Sequence, residues 1–302
     1  MTTWQQLRER PVVLVGPTAS GKSAYALEIA RRVPGLELVS VDSMQVYRRM
    51  DIGTAKPSAQ EQEEIPHHLI DLVEPDVPFS LVDYQTAYAA AQLEIRKRDS
   101  VPLLVGGTGL YLRAIIDELT PPPRFNDIAV ELESDGDTES LHKRLQELDP
   151  VGAARMEASN RRRIVRALEV TLGTGKPFSS FGPGLDNYPK VPYRIIGIDI
   201  SREDLDRRIR NRYLQQMEDG FLDEVRTLSD YELSHTAAQA LGYKELLCHL
   251  RGETSLDEAL EVAVQRTKRF ARRQQRWFRR DPRVEWMRRD EIGGLINEIS
   301  SQ

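Results

Sequence analysis

The first part of the chain alternates continuous apolar runs with longer amphipathic stretches. Apolar runs too short for a buried helix predict buried strands, which are expected at residues 12–15, 36–41, 67–73 and 101–105. Between them, helical spacing predicts helices at residues 21–33 and 84–97, the second preceded by Ser80 as its N-cap. Strands that alternate with helices form a parallel sheet with helices on both faces. The expected fold class is therefore α/β.

The alternation stops between residues 119 and 191. Three prolines at 121–123 interrupt it, helices are expected at 139–148 and 161–172, and a stretch rich in Gly, Pro and Ser follows. We therefore expect a helical insertion domain, residues 119–191, in a core made of residues 1–118 and 192–302.

Strand and helix patterns return after the insertion. Ser201 with Asp204, and Ser255 with Glu258, have the spacing of helix-capping pairs. They predict a helix that ends near Met217 and another over residues 256–278. The remaining expected elements are strands at 193–200 and 284–286 and a closing helix at 292–299.

The composition is that of a globular protein, with 302 residues, 40% hydrophobic and 29% charged. A single cysteine excludes an internal disulfide framework and a metal cluster built on cysteines. No apolar run reaches the length of a membrane span, and the N-terminus does not resemble a signal peptide. We therefore expect a cytoplasmic protein without membrane contact, and a monomer, since no feature predicts a dimer interface.

Basic residues are concentrated in two clusters, although the formal net charge is −5. The first cluster contains Arg161, Arg162, Arg163 and Arg166. The second contains Arg266, Lys268, Arg269, Arg272, Arg273, Arg276, Arg279 and Arg280, with no acidic residue in that span. Such clusters favour binding to a polyanion. The alternative is a solvated helix face that pairs with acidic neighbours.

The segment GPTASGKS, residues 16–23, directly follows the first predicted strand. It fits the P-loop pattern, in which a loop between a strand and a helix wraps a phosphate. Gly16 and Gly21 permit backbone angles that let successive amides converge on an anion. Lys22 supplies positive charge and the Ser23 hydroxyl can ligate Mg²⁺. The predicted fold is thus a P-loop NTPase-like parallel sheet, and the loop is a nucleotide-binding or other phosphate-binding motif.

Two further polar residues follow predicted strands of the core. Asp42 comes after the strand at 36–41, and Thr108 comes after the strand at 101–105 and Gly106-Gly107. Functional residues collect at the carboxyl ends of parallel strands, so both are expected near the P-loop. There Asp42 could accept a proton or orient a metal, and Thr108 could donate a hydrogen bond to phosphate or substrate. Asp42 could also merely cap the following turn.

Six segments in this order resemble the tRNA dimethylallyltransferase family, also called tRNA isopentenyltransferases. They are GPTASGKS, VDSMQVYRRMDIGTAKP, PLLVGGTGLY, RRRIVRALEV, ALGYKE and TKRFARRQQRWF. The resemblance implies transfer of a dimethylallyl group from dimethylallyl diphosphate to the exocyclic 6-amino group of adenosine. That adenosine lies in tRNA, on the 3′ side of the anticodon. The absence of a Cys/His zinc finger from the sequence suggests a bacterial type.

The resemblance also implies roles for individual residues. Asp42 resembles the general base, Thr108 a threonine that contacts diphosphate and substrate, and Arg212 an arginine that supports the leaving group. The diphosphate and its Mg²⁺, with Ser23 as the metal ligand, would lie on Gly16, Thr18, Ala19, Ser20, Gly21, Lys22 and Ser23. Asp42, Ser43, Met44 and Gln45 would surround the target base. The remaining tRNA contacts, in addition to Thr108, would be Arg162, Arg163, Ile164, Val165, Arg166, Gln239, Ala240, Leu241, Gly242, Tyr243, Lys244, Thr267, Lys268, Arg269, Arg272, Arg273 and Gln274.

Some positions depart from the family pattern. Lys268 stands where arginine is more usual, Arg273 where lysine is common, and Arg276 where threonine is common. The insertion, which would contact the anticodon stem-loop, is short around residues 135–138. These departures affect individual RNA contacts and leave the chemistry of the P-loop and Asp42 unchanged.

Three other functions are compatible with parts of the sequence. A small-molecule P-loop kinase would share the loop, Asp42 and the parallel core, but would leave the basic clusters unexplained. A nucleic-acid-binding NTPase or motor would need a second strand that ends in acidic residues for Mg²⁺ and water, whereas the strand at 101–105 ends in Gly106-Gly107-Thr108. A non-catalytic RNA-binding module would leave Asp42 and Thr108 without a role.

Overall fold

The computed structural model describes residues 4–182, 184–288 and 290–294. The chain forms two compact units: Glu118–Pro189, and a core that combines the residues before and after that segment. The boundaries fall at 117/118 and 189/190, against the expected 118/119 and 191/192. Helix is present at 290–294, and the rest of the expected closing helix lies outside the described residues.

The core contains one parallel sheet of six strands, in the order β3-β2-β4-β1-β5-β6. The strands are β1 (Val12–Val15), β2 (Leu36–Val41), β3 (His67–His68), β4 (Val101–Gly106), β5 (Arg194–Ile198) and β6 (Val284–Met287). β4 therefore lies between β1 and β2, and the loops after these three strands are neighbours at the carboxyl edge of the sheet. The predicted α/β fold class is confirmed.

The central strands are apolar on both faces because both faces of the sheet are covered. In β1, Val13 and Val15 belong to one buried cluster, whereas Val12 and Leu14 belong to the cluster on the other side. This two-sided burial explains continuous apolar runs in place of an alternating pattern.

The third predicted strand, residues 67–73, is mostly wrong, because only His67–His68 forms a strand. Leu69 and Asp71 have φ angles of 62° and 53°. These angles belong to the left-handed region and end the extended conformation. Beyond them the chain makes only an isolated bridge between Val73 and Tyr47.

Among the described residues, the core contains both the helices that the sequence predicts and four that it does not, at residues 4–9, 59–64, 221–228 and 243–250. Together they are α1 (Trp4–Glu9), α2 (Lys22–Arg32), α3 (Ala59–Glu64), α4 (Leu81–Lys97), α5 (Gly109–Ile116), α10 (Arg202–Glu218), α11 (Phe221–Leu228), α12 (Tyr243–Leu250) and α13 (Leu256–Arg279). Ser80 and Ser255 cap α4 and α13 in capping boxes. Ser201 caps α10 by accepting from the Asp204 amide.

The second unit is helical. It contains α6 (Asn126–Ser134), α7 (Thr138–Leu148), α8 (Pro150–Ala154) and α9 (Arg161–Thr174), followed by a 3₁₀ turn at Phe178–Ser180. Leu141 and Leu145 of α7 and Ile164 and Leu168 of α9 lie in its own buried cluster. Across the part of the chain that is described, no helix combines the length and apolarity needed to cross a membrane.

Candidate active site

The P-loop occupies the turn between β1 and α2. Ala19 and Gly21 have φ angles of 63° and 96°, and Gly21 directly precedes α2. A β-carbon would be strained at the Gly21 angle, so glycine is required there. With the helix N-terminus behind it, the loop has the backbone arrangement that binds anions.

Two arginines of α10 contact the P-loop. Arg212 donates from Nη1 to Thr18 Oγ1 at 2.7 Å, and Arg208 donates from Nη1 to the Ser20 carbonyl at 3.0 Å. The Arg212 Nε is buried and has no hydrogen-bond partner among the described residues. Arg208 lies outside the sequence motifs described above. Its contact with the P-loop becomes visible only from the packing of α10 in the structure.

Lys22 lies in the same charged environment. Burial lowers the pKa of its amine to about 8, although the nearby charge of Asp42 acts to raise it and that of Arg212 to lower it further. Burial likewise lowers the pKa of Arg212, against the raising effects of Tyr213 and Asp42. Lys22 and Arg212 therefore share one electrostatic environment, in which Asp42 supplies the negative charge.

Asp42 lies immediately after β2. Its Oδ1 accepts hydrogen bonds from the Met44 amide at 2.8 Å and the Gln45 amide at 3.4 Å. Within the described part of the chain, Oδ2 receives no hydrogen bond. One oxygen of Asp42 thus caps the following turn, as the alternative interpretation expected. The other oxygen can still accept a proton.

Thr108 connects β4 to the Asp42 turn. Its Oγ1 accepts from the Ser43 amide at 3.2 Å, and its own amide donates to the Val41 carbonyl at 3.2 Å. Because β4 and β2 are neighbours in the sheet, Thr108 lies next to Asp42 although the two are far apart in the sequence.

Gln45 has little free hydrogen-bonding capacity. Its Oε1 accepts from Ser40 Oγ at 2.7 Å, and its Nε2 donates to the carbonyls of Thr54 and Ala55 at 3.2 and 3.1 Å. These bonds fold the segment after Asp42 onto itself. Gln45 therefore supports the predicted base-binding turn from within the protein.

A carboxylate of α11 holds the far end of the same segment. Glu224 accepts from the amides of Asp51, Ile52 and Gly53 at 2.9, 2.7 and 3.1 Å, and from Tyr243 Oη at 2.6 Å. Sequence reasoning missed Glu224, because a lone glutamate on a helix gives no sign of three backbone partners. Tyr243 is buried, so it supports this turn from within the protein.

The second basic cluster divides into paired and unpaired members along α13. Arg266 pairs with Glu245, Lys268 and Arg272 pair with Asp206, and Arg279 pairs with Asp199. The alternative of pairing with acidic neighbours therefore applies to these four, whose partners come from other elements and not from the span itself. Among the described residues, no acidic side chain pairs with the four exposed arginines Arg269, Arg273, Arg276 and Arg280.

The first basic cluster divides in the same way on α9. Arg161 donates to carbonyls at the end of α6, and Arg166 donates to Glu169 and to the carbonyls of Pro122 and Pro123. Arg162 and Arg163 are exposed. Only these two project from the cluster into solvent.

Several predicted tRNA contacts are buried side chains. Thr267 is fully buried and exchanges a hydrogen bond with Tyr213 at 2.9 Å. The other buried members are Ile164, Val165, Ala240, Tyr243 and Gln274, and Gly242 is buried as well. Side chains in these positions support neighbouring surfaces by packing. Gln239 is exposed, and Leu241 and Lys244 are half-buried.

Ser23 is the residue that could hold a metal. It is exposed in the first turn of α2. In the described ranges, no group of three or more His, Cys, Asp or Glu side chains could form a metal site from protein ligands alone. Mg²⁺ keeps several waters and binds proteins through few ligands together with substrate phosphates. One hydroxyl beside an anion-binding loop fits that coordination.

The fold and the site define a P-loop α/β protein with a carboxylate and a threonine at strand ends beside the loop. A family model described as IPP transferase matches residues 45–281, and one described as isopentenyl transferase matches residues 10–76. The chain belongs to the IPP transferase family.

Curated relatives agree with this assignment over nearly the whole chain. The chain is 45% identical over 305 aligned residues to the tRNA dimethylallyltransferase of Geobacter metallireducens, covering 98% of this chain and 97% of that protein. It is 46% identical over 284 residues to the enzyme of the same name from Geobacter sulfurreducens, covering 91% of each.

Solved structures show the same fold. The full-length tRNA isopentenylpyrophosphate transferase of Bacillus halodurans matches with a TM-score of 0.69 and 38% identity, covering 97% of this chain and 96% of that chain. A eukaryotic dimethylallyltransferase described as acting on tRNA matches with a TM-score of 0.77 and 26% identity, covering 93% and 74%.

Proposed function

We propose that this protein transfers a dimethylallyl group from dimethylallyl diphosphate to the exocyclic 6-amino group of the adenosine on the 3′ side of the anticodon in tRNA. Diphosphate is released. The observation that carries this proposal is the meeting of the P-loop, Asp42, Thr108 and Arg212 at one sheet edge in a chain of the IPP transferase family. The names of its relatives support the substrate and the group transferred.

The P-loop and its neighbours bind the diphosphate. The amides of residues 16–23 and the dipole of α2 face the anion, and Lys22 and Arg212 supply positive charge. The buried Arg212 Nε–H has no protein acceptor among the described residues, so a diphosphate oxygen is a suitable partner. Such donors stabilise the charge that grows on the leaving oxygen.

Mg²⁺ is the metal that suits this arrangement. Ser23 would ligate it together with diphosphate oxygens and waters. When bound, the ion neutralises charge on the leaving group.

Asp42 acts as the general base. The 6-amino nitrogen forms a bond to the first carbon of the dimethylallyl group, and the bond from that carbon to the bridging oxygen breaks. The electron pair leaves with diphosphate, and a proton moves from the nitrogen to Asp42 Oδ2. The two amides on Oδ1 hold the carboxylate in place for this transfer. Thr108 contributes a hydroxyl hydrogen beside the same turn.

The exposed basic residues bind tRNA. Arg269 and Arg273 on α13, and Arg162 and Arg163 on α9, are exposed and suited to contact RNA phosphates. The helical unit, which contains α9, would contact the anticodon stem-loop. The target base is turned out of the loop toward Asp42, Ser43 and Met44. We propose that the protein does this as a monomer in the cytoplasm, where tRNA is found.

A small-molecule kinase is not favoured, since the chain belongs to the IPP transferase family and α13 carries unpaired arginines. The deciding experiment incubates the protein and undermodified tRNA with labelled dimethylallyl diphosphate and, separately, with ATP labelled in its terminal phosphate. We expect label in tRNA from the first mixture alone. Release of phosphate from ATP without prenyl transfer would overturn the proposal in favour of a kinase or an NTPase.

A further inference from the structure

One buried glutamine contacts both the P-loop and the loop after β4. Gln274 lies on α13 and is 7% exposed. Its Oε1 accepts a hydrogen bond from the Thr18 amide at 2.8 Å, and its Nε2 donates to the Gly107 carbonyl at 2.9 Å. Both ends of the side-chain amide are therefore used, one on each loop.

The loop after β4 is shaped to admit this side chain. A β-carbon at Gly107 would lie 2.4 Å from Gln274 Nε2. Likewise, a β-carbon at Gly109 would lie 2.1 Å from Trp277 Nε1, one turn further along α13. Consecutive turns of the helix thus pack directly against the backbone of residues 107–109, and only glycine leaves the necessary space.

The contacts of Gln274 complete a chain of hydrogen bonds. Arg212 donates to the Thr18 side chain at 2.7 Å, and Thr18 donates from its backbone to Gln274. Gln274 donates to Gly107, and the adjacent Thr108 accepts from Ser43 at 3.2 Å. The P-loop, the loop after β4 and the turn after β2 are therefore connected by hydrogen bonds, and Gln274 is the side chain that joins the first two.

We propose that Gln274 is a positioning residue that sets the P-loop and Thr108 at the separation needed to bind diphosphate. It has no direct role in tRNA binding, unlike the exposed arginines of the same helix. A buried amide can satisfy both loops only when they keep this spacing, because each bond is directional. The inference rests on the proposed function, since it concerns the diphosphate site of the transferase.

The test compares Gln274→Met with Gln275→Met, a matched change at the next position, where the side chain is half-buried. Binding of inorganic diphosphate with Mg²⁺, and of an anticodon stem-loop RNA, is measured for the wild type and each variant. Gln274→Met should weaken diphosphate binding about tenfold, the loss of one to two ordinary hydrogen bonds, with RNA affinity unchanged. Gln275→Met should change neither.

A second comparison separates positioning from general destabilisation. Gly107→Ala displaces the Gln274 amide and also places its β-carbon 3.1 Å from the Gly16 carbonyl, so most of its effect, apart from the smaller contribution of Gly16, should disappear in a Gln274→Ala background. Unchanged diphosphate affinity in Gln274→Met, an equal loss of RNA affinity, or additive effects in the double variant would overturn the proposal. Should Gln274→Met unfold, Gln274→Asn keeps an uncharged amide that is one methylene too short to reach both loops, and the same criteria apply. A wild type that binds diphosphate but transfers no label would contradict the proposed function alone.

Discussion

Asp42 is a turn-capping carboxylate that we propose also serves as the general base. One oxygen is committed to the amides of Met44 and Gln45, which fixes the orientation of the carboxylate. The other oxygen remains available for a proton. Asp42 can therefore cap the turn with one oxygen and accept a proton with the other. A measurement of turnover tests whether it does the second.

Replacing Asp42 with Ala should lower the rate of prenyl transfer about 100-fold or more, the scale of removing a general base. Single-turnover transfer of labelled dimethylallyl to tRNA measures this rate, and tRNA affinity should be retained. Asp42→Asn is the companion variant, because it keeps a side-chain oxygen for the turn but cannot take up a proton. A wild-type rate in either variant would refute the assignment of the base.

The lowered pKa of Lys22 predicts a pH dependence of diphosphate binding. The free protein has a pKa of about 8 at this amine, below the ordinary 10.5. Above that pH the free protein loses the positive charge, so diphosphate affinity should fall by up to about tenfold per pH unit.

The same shift in the pKa of Lys22 affects the stability of the fold. Below about pH 8 the buried charge of Lys22 lowers the free energy of unfolding, and this destabilisation declines as the pH rises toward the ordinary pKa of 10.5.

Calorimetric titration with inorganic diphosphate between about pH 7 and 9.5 measures the effect on binding. Lys22→Arg is the control, because a guanidinium does not titrate in this range. Titration of the ligand itself affects both proteins equally, so the difference between them isolates Lys22. Parallel pH profiles for the two proteins would contradict the prediction.

At the scale of elements, α13 performs two tasks on two faces. Its buried face places Gln274 and Trp277 against the loops of the sheet edge. Its exposed face carries Arg269, Arg273 and Arg276 without acidic partners in the part of the chain that is described. Gln274 is buried whereas these arginines are exposed, so substitutions of the arginines can be tested separately from substitutions of Gln274.

Replacing Arg269 and Arg273 with Ala should weaken tRNA binding and reduce its salt dependence. Each lost phosphate contact lowers the slope of log affinity against log salt by about 0.7–0.9, or about 1.5 for two contacts. The matched control is Arg207 and Arg210 to Ala on α10, which removes the same charge from arginines paired with Asp204 and Glu261. Equal slopes for the two double variants would argue against phosphate contacts at α13. Arg272 is left unchanged in this double variant, because it pairs with Asp206 at 3.1 Å.

At the scale of the whole molecule, the core is assembled from chain segments on both sides of the helical unit. Asp117, which directly follows α5, accepts from Arg113 and from Arg283, the latter at 2.6 Å. Arg283 lies just before β6 and also pairs with Asp281 at 2.7 Å. This buried network joins the end of the first core segment to the last strand.

Asp117→Ala should therefore destabilise the protein by about 3 kcal/mol, the lower end of the cost of breaking a buried ion pair, because Arg283 retains Asp281. Denaturant unfolding measures the change. Glu94→Ala, which breaks an exposed pair with Lys97 on α4, should cost less than about 1 kcal/mol. Similar costs for the two variants would show that the Asp117 network does not stabilise the core.

Most of the core was predictable because its signals are local. The P-loop spacing, the apolar runs and the capping pairs each lie within a few residues of one another. Helix α13, for example, follows from Ser255 and Glu258, and it begins and ends within one residue of the prediction. Residues 67–73 were mispredicted because left-handed angles at Leu69 and Asp71 leave no clear mark in an apolar run.

By itself, the sequence determined the α/β class, the anion-binding turn and the polar residues at the strand ends, since these depend on neighbours along the chain. The tertiary structure decided which basic side chains remain unpaired, because their partners come from distant elements such as Asp206 and Glu245. It also decided the roles of Gln274, Glu224 and Arg208, whose partners are backbone groups of other loops. A backbone amide or carbonyl is the same at every residue, so no sequence pattern records which side chain will reach it.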